Sequence, residues 1–160
     1  MPEISMLGWF HTILGVIALL SGFYTLAKFK TILWQNISAK IYLFCTLLAA
    51  ASALGIFAHG TFNMAHALAI LTLLALIAGA IAENTTILGA LSPYAQAMCY
   101  SATLLFHMIP AITDGLLRLP VGDPVLTDIE DPILKGFYLA FLITYLVGFI
   151  AQVVWLKKQK

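Results

Sequence analysis

The chain has 160 residues, of which 62% are hydrophobic and only 9% charged, with a formal net charge of +1. Soluble domains carry about 25% charged residues, so this composition has too few to clothe a water-facing surface, and the mean hydropathy of +0.99 points to lipid. The near-neutral balance excludes the basic footprint of a nucleic-acid-binding protein. Its two cysteines, Cys45 and Cys99, each sit inside an apolar run and read as packing residues rather than a redox pair.

Five apolar segments follow one another, each near the roughly 20 residues that cross about 30 Å of hydrocarbon. They cover about 7–27, 37–58, 63–82, 94–118 and 133–156. The predicted fold is all-α: an integral membrane helical bundle of five transmembrane helices, a single domain over 1–160 with no soluble part. Glu3 is the only charge before the first segment. A secretory signal needs a positive n-region, so the N-terminus reads as a retained span. Lys28, Lys30 and Lys40 flank the first connection, and Lys157, Lys158 and Lys160 end the chain. Placing these lysines in the cytoplasm puts the N-terminus outside and the C-terminus inside. Trp9, Trp34 and Trp155 fall at predicted span ends, as an aromatic belt requires.

In the first segment Gly8, His11, Gly15, Ala18, Gly22 and Thr25 share one helical face, a ridge of small residues that admits a second helix closely. His11 lies about one turn in from the outer edge. The basic connection that follows belongs on the inner leaflet, where anionic lipids attract lysine. The second segment ends at His59-Gly60, where His59 reads as a solvated loop residue. The third opens with His66 at a depth matching His11, which suggests that the first two segments are repeated in parallel by the next two. Residues 83–93 read as an interfacial turn or short helix. The sequons at Asn36 and Asn84 fall on the inner side and read as chance matches.

The fourth segment holds the polar stripe Tyr100, Thr103, His107, Asp114 and Arg118, on one helical face. Pro110 removes a backbone donor and predicts a kink. Asp114 and Arg118, four apart with the acid first, suit an intrahelical ion pair. His107 has no local partner and sits at bilayer depth, which marks it as the leading functional candidate. The acidic outer loop of 120–132 is solvated or gathers cations, and its spacing does not fit an EF-hand. The fifth segment sets Tyr138, Tyr145 and Gln152 along one face.

All four histidines fall in the predicted outer half. Neutral imidazole ligates Zn, Cu, Fe and Ni, and haem iron axially. His11 and His66 at equal depth suit a haem b. Alternatively His11, His66 and Asp114 suit one transition-metal ion, with His107 deeper. Sequence does not choose between these arrangements.

The pattern His11, Leu14, Gly15, Ala18, Leu19, Gly22 resembles the HxxLGxxALxxG opening of an uncharacterised family of bacterial multi-span membrane proteins. The third-segment pattern beginning near His66 is similar too. The likeness covers about the first half of the chain and implies a bacterial inner (cytoplasmic) membrane. It departs where that family often shows K-G-x-x-x-H-R after the first span; Lys28, Phe29, Lys30 and Trp34 stand here. The expected function is a histidine site for haem b or a transition metal, serving redox chemistry or metal handling. The alternatives are an accessory subunit of a larger membrane complex, or a small transporter working as a homodimer and gated by the Asp114–Arg118 pair. No nucleophile–base spacing, phosphate loop or HExxH motif supports a hydrolase.

Overall fold

Long runs of Leu, Ala and Ile with few interruptions favour helix throughout, and the breaks fall where local chemistry stops a helix. A computed structural model describes residues 4–57 and 60–159; Glu3 and His59 lie outside them. Helix α1 (Met6–Phe29) starts at Ser5, whose hydroxyl accepts from the Gly8 amide, and ends at Lys30 in the left-handed conformation, φ 67°. Helix α2 (Ile37–Ala53) stops short of the expected span. Beyond it Gly55 and Ile56 donate to the carbonyls of Ser52 and Ala53, tight-turn bonds that replace the helical ladder at a residue with poor helix propensity. Helix α3 (Met64–Asn84) begins in a capping box made by Asn63 and His66. After a 3-10 turn at Gly89–Leu91 comes α4 (Ser92–Arg118), continuous through Pro110. Helix α5 (Pro132–Lys157) starts at Asp131, whose carboxylate accepts from the Ile133 amide at 2.8 Å.

Four of these helices, α1, α3, α4 and α5, are long and apolar enough to cross a membrane. Helix α2, at 17 residues, is the shorter one. Large apolar side chains point outward along the long helices, Leu20 at 69% exposure and Ile150 at 62% among them. A water-facing surface of this kind is unfavourable; a lipid-facing one is expected.

The chain packs as successive antiparallel neighbours, α1 on α2, α2 on α3, α3 on α4 and α4 on α5. Helix α2 is the most enclosed, and Tyr42 at its centre is fully buried with Ala18, Leu43, Leu76, Tyr100 and Leu104 around it. Lipid tails are as apolar as leucine, so helices here associate through close packing and hydrogen bonds rather than through exclusion of water. Glycine supplies the close approach. Gly22 of α1 lies under the Tyr42 ring, and Gly79 of α3 lies under the Tyr100 ring. Each of the two hairpins α1–α2 and α3–α4 thus seats a tyrosine of its second helix on a glycine of its first.

Tyr138, Tyr145 and Gln152 share one face of α5, as their spacing predicts, and that face meets α4. The Tyr138 hydroxyl meets Thr113 at 2.6 Å, the Tyr145 hydroxyl donates to the Met98 carbonyl at 3.2 Å, and Gln152 accepts from Ser101 at 2.9 Å. The acidic loop before α5 is pinned by Leu126, buried against Leu117 and Leu134, with its amide on the Leu116 carbonyl at 2.9 Å. Glu130 of that loop pairs with Lys135 at 2.7 Å on the surface.

Candidate functional site

The helix order brings His11 of α1 and His107 of α4 to the same turn of α2. His11 donates from Nδ1 to the Ala49 carbonyl at 2.9 Å, with the Ser52 hydroxyl 3.5 Å away. His107 meets the Thr46 hydroxyl through Nε2 at 3.1 Å. Thr46 and Ala49 are one turn apart on α2, so both rings reach the same face of that helix. Each ring is held by one nitrogen. For His11 this leaves Nε2 with a lone pair, since the Nδ1 proton is committed to the carbonyl.

Hydroxyls continue from His107 into the core. The Tyr42 hydroxyl meets Thr103 and the Tyr100 carbonyl, and Thr103 donates to that same carbonyl at 2.7 Å. The lower half of the α4 stripe, Tyr100 to His107, is therefore the half that meets α2. Its upper half does something else. Asp114 accepts from Arg118 Nε at 3.2 Å with its carboxylate 59% exposed, the intrahelical pair expected from their spacing.

His66 is placed differently. Its Nδ1 serves the α3 capping box, 3.3 Å from the Asn63 amide and 3.1 Å from the Asn63 side-chain oxygen. Its ring lies between Phe57 and Phe62, with centroids 4.7 and 5.2 Å away. Nε2 is buried with no hydrogen-bond partner. The expected parallel with His11 does not extend to bonding: one ring ties two helices together, the other starts its own helix. Helices α1 and α3 have no extensive contact of their own, because α2 stands between them. Among the described residues, no three His, Cys, Asp or Glu side chains group in a way that would hold a metal ion.

The small-residue ridge on α1 is occupied within the chain. Gly8, Ala18, Gly22 and Thr25 are buried, and the helix they admit is α2.

A second polar cluster sits at the opposite, lysine-bearing end. The connection between α1 and α2 turns inward, burying Thr31 and Ile32. Three other helices each send one side chain to its backbone: Gln152 of α5 to the Lys30 carbonyl at 2.8 Å, Gln96 of α4 to the Ile32 carbonyl, and Glu83 of α3 to the Trp34 amide at 2.7 Å. Glu83 also accepts from the Tyr100 hydroxyl at 3.1 Å. Sequence places Gln152 on a face and Glu83 at the start of an interfacial turn, whereas Glu83 lies in the last turn of α3 and reaches the Trp34 amide; Gln96 carries no such expectation. A polar residue in the first or last turn of an apolar helix was the available signal.

Compared with known protein families, curated proteins and solved structures, the chain matches none. The fold and composition define it as an all-α protein with four helices suited to spanning a bilayer and two internal polar clusters, one of histidines and hydroxyls, one closing the lysine end.

Proposed function

We infer that this is a five-span protein of a bacterial inner membrane, N-terminus outside, in which His11 and His107 take up a transition-metal ion near the outer face. The observation that carries the reading is the anchoring of both rings to one face of α2 by a single nitrogen each. A metal-ligating histidine characteristically donates its other ring N–H to a carbonyl or carboxylate, which fixes the tautomer and aims the lone pair. His11 on the Ala49 carbonyl has that arrangement. Two imidazoles leave coordination positions open, which suits an ion in transit or exchanged with a partner better than one held permanently. Haem b set between His11 and His66 is less favoured, because those residues stand on helices separated by α2.

The test is a titration of detergent-purified protein with Cu(II) and Zn(II), read by calorimetry. One equivalent should bind, each of His11→Ala and His107→Ala should weaken it at least tenfold, and His66→Gln should leave it unchanged. Equal binding by the His11→Ala/His107→Ala double variant would refute the reading. Two pairs between α2 and α4, Thr46 with His107 and Tyr42 with Thr103, support a second reading, a proton relay. That reading predicts no stoichiometric metal, and a proton flux in vesicles that Thr46→Val abolishes.

A further inference from the structure

Gln152 of α5 reaches the Lys30 carbonyl at the end of α1, and among the described residues the two helices have no extensive packing on each other. Away from that bond they leave a cleft of about 620 Å³, floored by Leu104 and Met108 of α4 and walled by Leu26 of α1 and Phe141 and Phe149 of α5. That volume falls within the range of about 300–1,000 Å³ typical of ligand sites. It runs along α5 from Phe141 to Trp155, about 21 Å at a rise of ~1.5 Å per residue. This exceeds half of a hydrocarbon core of about 30 Å, so a chain from one leaflet fits along it.

The chemistry of the cleft is one-sided. Its polar groups, Lys30, Ser101, Gln152 and the Trp155 ring, gather at the lysine end, and apolar side chains line the remainder apart from Thr144 and Tyr145. Thr144 donates back to Ala140 and Tyr145 donates to Met98. Ser101 donates to Gln152, and Gln152 donates to the Lys30 carbonyl. The hydroxyls of Ser101, Thr144 and Tyr145 each donate within the protein, and Gln152 keeps one amide proton for a head group. Lys30 is different: one of its three ammonium protons goes to the Ala27 carbonyl at 2.7 Å, which leaves two and a full positive charge. Lys28 and Lys157 stand at the same ends of α1 and α5.

We propose that this cleft seats one anionic phospholipid from the leaflet at the lysine end, its phosphate on Lys30 and one acyl chain along Leu104, Met108 and Phe149. The inference needs the membrane setting and is independent of the histidine site. A Cβ added at Gly148 meets nothing within 4 Å, so the cleft can be filled from that position without disturbing the helix packing.

The experiment uses the Trp9→Phe/Trp34→Phe variant, which leaves Trp155 as the fluorophore, in phosphatidylcholine vesicles. A minor fraction of brominated phosphatidylglycerol or of brominated phosphatidylcholine serves as quencher. Phosphatidylglycerol should quench Trp155 at about fivefold lower fraction, as one lysine near an anionic head group implies. Lys30→Gln should bring the two lipids level, Lys158→Gln should not, and Gly148→Phe should reduce quenching by both with helicity retained. Equal quenching by the two lipids in the unaltered chain overturns the proposal. So does a preference that survives Lys30→Gln, or disulfide-linked dimers formed efficiently by Gly148→Cys, which would show a second copy in the cleft.

Discussion

Gly79→Ala should destabilise the bundle, and Gly15→Ala supplies the matching control. Both glycines lie inside helices, so alanine improves helix propensity at each by the same amount, up to about 1 kcal/mol. The difference between the two variants therefore isolates packing. A Cβ at Gly79 falls into the ring of Tyr100, whereas one at Gly15 meets nothing within 4 Å. The Tyr100 ring cannot swing aside freely: it is buried, and its hydroxyl is bonded to Glu83 at 3.1 Å. Inserting a methyl group into a filled contact costs typically about 1–3 kcal/mol, so Gly79→Ala should be less stable than Gly15→Ala by that amount. Unfolding in mixed micelles, followed by circular dichroism against SDS fraction, measures it. Gly79→Ala/Tyr100→Leu should recover part of the loss relative to Tyr100→Leu alone, since the ring that clashes is gone. Equal stabilities for Gly79→Ala and Gly15→Ala would refute the claim that a tyrosine seated on glycine holds the second hairpin together.

Other expectations concern the clamp, the ion pair and the orientation. Gln96→Leu leaves the Ile32 carbonyl unpaired inside the bundle and should cost about 1–3 kcal/mol in the same unfolding assay. Asp114→Asn removes an exposed i,i+4 pair and should change stability by no more than about 0.5 kcal/mol; a larger loss would show that Asp114 has a role beyond pairing with Arg118. In a Cys45→Ala/Cys99→Ala background a cysteine replacing Gly122 should react with an impermeant maleimide on intact cells, and one replacing Lys158 only after the membrane is opened. Reaction of both on intact cells would refute the crossing of the membrane by α5 and the orientation inferred from the lysines.

Much of the architecture could be read from residue order alone, because helices repeat locally. Apolar runs marked the helices to within a few residues, and the seven-residue spacing of Tyr138, Tyr145 and Gln152 marked one face of α5, which the structure sets against α4. The i,i+4 order of Asp114 and Arg118 predicted their bond, for the same local reason. Even the role of His66 was signalled, since Asn63 followed three residues later by a side chain that can reach back is a capping-box pattern. That pattern was visible and was read instead as equivalence to His11.

What tertiary structure alone decided is which distant groups meet. Whether His11 finds a carbonyl, a metal or lipid depends on α2 passing beside it, 38 residues further along the chain. The lysine end is closed by bonds across 49, 64 and 122 residues, each to a backbone atom that has no letter of its own in the sequence. Periodicity describes one helix at a time; pairing between helices follows from which small residues allow close approach and which polar atoms must be satisfied once water is gone. Those conditions are met by the whole set of helices together, so no single stretch of the chain carries them.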